Sequence, residues 1–223
     1  MLSGDGNAGN TVNLIGSLQS GTMADNNNEG HDGAPIDQIA SFATAVLLQQ
    51  PNVVLLHAGT NDMNLPLDPT TAPDHLGNLI DQIIAACPDA LILVAQIISS
   101  GSATTQQNII QYNAAIPELV AARQANGSHV MIVDMFSQLF YPSDYTDDLH
   151  PNDQGYSIMG DAWYRAIAYA NAELGWLNAP VASEGSGHLV SCSRPPTWLP
   201  QGQIANGAGL GAKMYPDIVC VPM

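Results

Sequence analysis

Asp147-Asp148-Leu149-His150 places an aspartate three residues before a histidine. At that spacing a carboxylate can accept an imidazole N–H, orient the ring and stabilise the imidazolium formed when the histidine takes a proton. Alone, the pattern is also that of a solvated loop leading into a helix, and spacing leaves open whether Asp147 or Asp148 faces the ring. A second cluster, Gly59-Thr60-Asn61-Asp62, directly follows the apolar run Val53-Val54-Leu55-Leu56-His57. An asparagine at a strand end can aim its amide N–H at a developing oxyanion, where one donor contributes about 3 kcal/mol to the transition state. The plainer alternative is that Asn61 and Asp62 cap the next helix or form an Asx turn. The third cluster, Asp25-Asn26-Asn27-Asn28-Glu29-Gly30-His31-Asp32-Gly33, ends just before a helix whose first backbone N–H groups can bind an anion. Gly33 is its turn glycine.

Two further patterns carry less. Asp25, Asn27, Glu29 and Gly30 stand at the first, third, fifth and sixth places of an EF-hand-like loop, but the twelfth place is Ile36 where a bidentate carboxylate is required. No metal site is expected. Gly207-Ala208-Gly209-Leu210-Gly211-Ala212 mimics a dinucleotide fingerprint, yet Pro216 interrupts the segment that should be its helix, so no nucleotide cofactor is expected either.

Short apolar runs alternating with amphipathic ones position these clusters, a pattern of parallel strands covered by helices on both faces. The expected order is strand Val12 to Gly16, helix Ile36 to Gln49, strand Asn52 to His57, helix Pro73 to Cys87 and strand Ala90 to Ile97. Helix Gln106 to Ala125, strand His129 to Asp134 and helix Asp153 to Leu174 follow. All three clusters fall at carboxyl ends of strands, where an open parallel sheet binds its ligands. Residues 1–179 form one α/β domain in this reading. Residues 180–223, punctuated by Pro195, Pro196, Pro200, Pro216 and Pro222, form an irregular extension or a linker to a further module.

Composition narrows the partners. Four basic residues stand against 20 acidic ones, giving a formal net charge of −16, so a nucleic-acid backbone would be repelled and find few donors. The longest apolar stretch, Ala90 to Ile98, contains Gln96 and falls short of the roughly 20 residues that span a bilayer. A neutral polymer such as a polysaccharide meets neither obstacle. Cys192 and Cys220 lie near each other in the Gly/Pro-rich tail, where a disulfide would stabilise a segment lacking a core, and Asn126-Gly127-Ser128 is a glycosylation acceptor. The expected location is extracellular, with no leader visible in the polar segment Met1 to Asn10.

Three strings, Asp25 to His31, His57-Ala58-Gly59-Thr60-Asn61-Asp62-Met63 and Asp148-Leu149-His150-Pro151-Asn152-Asp153-Gln154-Gly155-Tyr156, taken in order, resemble the SGNH/GDSL hydrolases. Among these the chain is most similar to the family three carbohydrate esterases, of acetyl xylan esterase type, over roughly Leu2 to Trp176. The resemblance implies a three-layer, flavodoxin-like parallel sheet. It also implies Gly33 and Asn61 as oxyanion-hole donors, Asp147 as the triad acid, His150 as the base, and an acetylated polysaccharide or small ester as substrate.

One block departs from the pattern. The families begin with a central strand ending in Gly-Asp-Ser, whose serine is the nucleophile, and the nearest strings here are Ser3-Gly4-Asp5 and Gly16-Ser17-Leu18. Ser17 is the candidate replacement nucleophile. In the sheet order 2-1-3-4-5 the missing strand leaves a gap between the strands at Val12 and Asn52, so either those close up or the chain is a truncated piece of a larger polypeptide. Two functions follow: an ester hydrolase that deacetylates a polysaccharide, or a non-catalytic remnant that binds carbohydrate or a partner.

Overall fold

A computed structural model describes residues 12–177 and the backbone of 218–221. Its centre is three parallel strands, β3 (Val53–Leu56), β4 (Leu91–Ala95) and β5 (Val130–Val133), with Val53 opposite Leu91 and Ile92 opposite Val130. Every residue of β3 and β4 is buried, because helices cover both faces, and this is why both strands read as unbroken apolar runs.

Alternation along the strands divides the core in two. Val54, Leu56, Ile92 and Val94 pack with α1 (Ile36–Leu47), α3 (Ala72–Ala86) and α4 (Ala103–Ala125) through Ile39, Ile80, Ile83, Ile109 and Ile116. Val53, Leu55, Leu91 and Leu93 face the opposite way, onto Met159, Ala162 and Trp163 of α5 (Asp153–Tyr169). The period of two in the strands thus meets helical stripes on either side, giving the expected three layers. A short helix α2 (Thr60–Asn64) follows β3, and α5 runs into a π turn, Ala170–Leu174, closed by Gly175 in the left-handed conformation.

Two expectations are corrected. Val12 to Gly16 is not a strand of the sheet; beyond a single bridge at Ile15, the first regular pairing is a hairpin of β1 (Leu18–Gln19) with β2 (Asn27–Asn28). The reason lies in side chains: Asp25 accepts the Leu14 N–H at 2.6 Å and Asn27 donates to the Leu14 carbonyl at 3.1 Å. Loop residues thereby take the groups a ladder would use. The extension is also not irregular throughout, since β6 (Ile218–Val221) pairs antiparallel with β3, Val54 opposite Cys220, giving the order β5-β4-β3-β6. The two strands at Val12 and Asn52 therefore do not close up on each other. The remainder of residues 180–223, including Cys192 and the Gly207 to Ala212 pattern, lies outside the described residues, and so does the Cys192–Cys220 pairing.

No helix among the described residues is long and apolar enough to cross a membrane.

Candidate active site

His150 and Asp147 meet in the loop between β5 and α5. The His150 ring nitrogen Nδ1 lies 2.8 Å from Asp147 Oδ2, and Asp147 Oδ1 also accepts the backbone N–H groups of Leu149 at 2.9 Å and His150 at 2.8 Å. One carboxylate therefore caps the turn and orients the ring together. Partial desolvation raises the Asp147 pKa, but the hydrogen bonds from the His150 ring and from the two backbone amides outweigh it and hold the carboxyl at about 2. Asp148 does not face the ring; its Oδ1 accepts the Tyr141 hydroxyl at 2.6 Å. Of the two carboxylates, it is therefore that of Asp147 that meets the ring.

The loop is fixed from both ends. Thr146 N–H donates to the His150 carbonyl at 2.8 Å, Tyr145 bridges Pro151, and the Asn152 side chain caps α5 by accepting the Gly155 N–H at 3.0 Å. Asp144, which is buried, accepts the Phe140 N–H at 2.8 Å and secures the start of the loop.

The second and third clusters dock on each other. Asn61, in the first turn of α2, donates its amide to the Ala34 carbonyl at 3.1 Å, and Asp62 Oδ2 accepts the Ile36 N–H at 3.0 Å. Asp62 therefore caps α1, which begins 26 residues earlier, and not α2, in which it lies. Burial raises its pKa against the opposing bond from Ile36. Gly33 sits in this joint at φ 74°, with open space where a Cβ would project.

Gly59 is held more tightly. Its φ is 117°, and a Cβ there would stand 2.6 Å from the ring of Tyr112, whose hydroxyl donates to the Ala58 carbonyl at 2.8 Å. Tyr112, carried on α4, is a residue that sequence reasoning missed, because nothing local links it to a strand end 54 residues away. Gly59→Ala combines backbone strain with overpacking and should lower stability by about 3 kcal/mol. Gly33→Ala, strained but uncrowded, should cost about 1 kcal/mol. Urea denaturation of the two variants measures the difference, and equal losses would show that Tyr112 yields.

Ser17 is placed elsewhere. Its hydroxyl donates to Glu29 Oε1 at 2.9 Å and its N–H to Glu29 Oε2 at 2.7 Å. Glu29 is 1 % exposed and also meets His31 Nε2 at 2.8 Å, while the His31 ring stacks on Phe42 at 3.9 Å. Glu29 is thus the anchor of the loop from Asp25 to Gly33. In the EF-hand-like string, Asp25 accepts the Leu14 N–H and the Asn27 amide, and Glu29 accepts both donors of Ser17.

His57, at the end of β3, is buried, and its Nε2 has no hydrogen-bond partner. Burial lowers its pKa from 6.5 to about 4. The unfolded chain takes up this proton first, so the associated stability is complete above about pH 6.5 and declines as pH falls to about 4. The loss should approach 3 kcal/mol across that window. Comparing urea unfolding of the wild type and His57→Gln at pH 7 and pH 4 isolates the term, because other groups titrate in both proteins.

The sequence matches the GDSL-like lipase/acylhydrolase family over residues 4–158. It is 34 % identical over 137 residues to "Putative endoglucanase X" of Acetivibrio thermocellus, covering 60 % of this chain and 58 % of that protein. It is 29 % identical over 123 residues to "Multidomain esterase" of Ruminococcus flavefaciens, covering 52 % of this chain and 16 % of that one. The chain thus spans less than two thirds of the length of either curated relative. Among solved structures, a Clostridium thermocellum family 3 carbohydrate esterase superposes with a TM-score of 0.63 at 32 % identity, over 72 % of this chain and 79 % of that one.

Proposed function

Because the chain belongs to the GDSL-like lipase/acylhydrolase family, we propose that it acts as a carbohydrate esterase that removes acetyl groups from a polysaccharide outside the cell. The observation that supports the reading is the Asp147–His150 pair, with the ring nitrogen Nδ1 2.8 Å from the carboxylate. In this mechanism His150 takes the proton of a serine hydroxyl as the serine attacks the acetyl carbonyl, Asp147 stabilises the imidazolium, and His150 then returns the proton to the departing sugar hydroxyl. The Gly33 backbone N–H and the Asn61 amide stabilise the oxyanion of the tetrahedral intermediate. In support of that pairing, Asn61 donates to the carbonyl of Ala34, the residue after Gly33, at 3.1 Å. In this reading residues 1–179 carry the esterase fold and 180–223 form an extension. The acidic surface suits a neutral polysaccharide better than a polyanion.

A non-catalytic carbohydrate-binding role is the second reading. It is favoured by one observation: the hydroxyl of Ser17 is directed to Glu29 and not to His150.

Acetate release from acetylated xylan tests the proposal, using a form of the protein supplied with a strand ending in Gly-Asp-Ser. Asn61→Ala in that form should lower kcat by about 10²-fold or more with little change in KM. A raised KM with unchanged kcat would make Asn61 a substrate-binding residue and remove it from the oxyanion hole.

A further inference from the structure

Asp147 and Asp148 are adjacent, exposed carboxylates, and only one of them meets the His150 ring. Nothing in the local sequence distinguishes them, so the choice is made by what holds Asp148. Three bonds do so. The Tyr141 hydroxyl donates to Asp148 Oδ1 at 2.6 Å, and the Asp148 carbonyl accepts both the Gly101 N–H and the Ser100 hydroxyl at 2.8 Å. Gly101 follows β4, so these contacts tie the loop after β4 to the loop that bears His150. A Cβ at Gly101 would collide with Asp148 Oδ1 and with the Tyr141 ring, so the site requires glycine to bring the three together. The Tyr141 ring itself packs edge-on against Tyr145, centroids 5.6 Å apart, and Tyr145 is anchored through its hydroxyl to Ser99 at 3.0 Å.

We propose that Tyr141 is a positioning residue: by holding the Asp148 carboxylate toward the β4 loop, it reserves the His150 ring for Asp147. The inference rests on Asp147 and His150 being the acid and base of the proposed esterase. Without the phenol hydroxyl, the Asp148 carboxylate loses its charge-assisted bond and turns as a second acceptor for the imidazole N–H, two residues from the ring. An imidazole shared between two carboxylates no longer has one fixed orientation, and orientation is what the acid contributes. Hydrogen bonding to Asp148 also raises the Tyr141 pKa, so the phenol stays protonated and remains a donor.

The test requires no turnover and uses the whole 223-residue chain. Long-range 1H–15N correlation spectra of the histidine rings report which nitrogen carries the proton. The Nδ1-bound proton of His150, held by a carboxylate, gives a sharp low-field signal, assigned by its loss in His150→Gln. Tyr141→Phe should lose that signal to exchange broadening, and adding Asp148→Ala to Tyr141→Phe should restore it. Asp148→Ala alone should keep it. Retention in Tyr141→Phe overturns the inference, because the ring then needs no help. Loss that Asp148→Ala fails to restore also overturns it, since Tyr141 would then act by packing the loop. Absence of the signal from the wild-type chain sinks the Asp147–His150 pair itself and this inference with it, which separates the two failures.

Discussion

Assayed by itself, this 223-residue chain should hydrolyse p-nitrophenyl acetate far below the order of 10 per second typical of enzymes. His150 lies 2.8 Å from its proposed orienting acid, Asp147, but Ser17, the candidate replacement nucleophile, donates its hydroxyl to Glu29 at 2.9 Å. A serine attacks efficiently only when a suitable base stands within hydrogen-bond reach, and the Ser17 hydroxyl is turned to Glu29 and not to His150. The oxyanion donors proposed at Gly33 and Asn61 would still polarise an ester carbonyl, and sites lacking part of a triad retain roughly 10³-fold catalysis over water. Weak hydrolysis is therefore compatible with the mechanism. Ordinary turnover would place the nucleophile inside these residues, and Ser17→Ala would identify or exclude it.

In a form supplied with a Gly-Asp-Ser strand and shown to turn over, His150→Ala should reduce kcat by about 10⁴- to 10⁶-fold. In the proposed mechanism the imidazole moves the nucleophile's proton, so its removal leaves oxyanion stabilisation and substrate binding alone. Asp147→Asn should cost about 10⁴-fold, because an amide facing Nδ1 favours the wrong tautomer while leaving the ring in place. Both variants should fold. His150 and Asp147 lie in a loop whose other ties, from Thr146, Asp144 and Asn152, do not depend on their side chains. Single-turnover release of acetate measures both effects. Retained activity in His150→Ala would end the assignment of the base. A loss in His150→Ala no larger than that in Asn61→Ala would leave general-base catalysis without support.

The Asp147 carboxyl also sets an acid limit. Its folded pKa of about 2 lies below its unfolded value of 3.8, so its contribution to stability is present above about pH 4 and is lost as pH falls toward 2. The His57 window lies higher, between about 6.5 and 4, so the two groups act in succession on acidification.

Much of this protein was legible in the chain because the relevant physics is local. Val53–Leu56 and Leu91–Ala95 show themselves as unbroken apolar runs, since strands buried on both faces have no polar side to expose. Asp147 and His150 are three residues apart, close enough for one turn to join them, and the backbone amides of Leu149 and His150 complete that turn without help from elsewhere. Gly33 and Asn61 were visible as a turn glycine and a strand-end amide.

What only the tertiary structure decided are choices between locally equivalent options, each settled by a partner distant in sequence. Val12 to Gly16 has the pattern of a strand, but Asp25 and Asn27 reach back 11 and 13 residues to take the Leu14 backbone groups. Asp62 sits in the first turn of α2, yet its carboxylate caps α1, because the fold brings that N-terminus to the end of β3. Asp147 and Asp148 are the same residue type side by side, and in the fold Asp147 meets the His150 ring while Asp148 is bonded to Tyr141, Ser100 and Gly101. Composition and periodicity are properties of a segment and survive in the sequence. The direction a polar side chain turns depends on which donors the fold delivers to it, and those donors exist as neighbours only once the chain is folded.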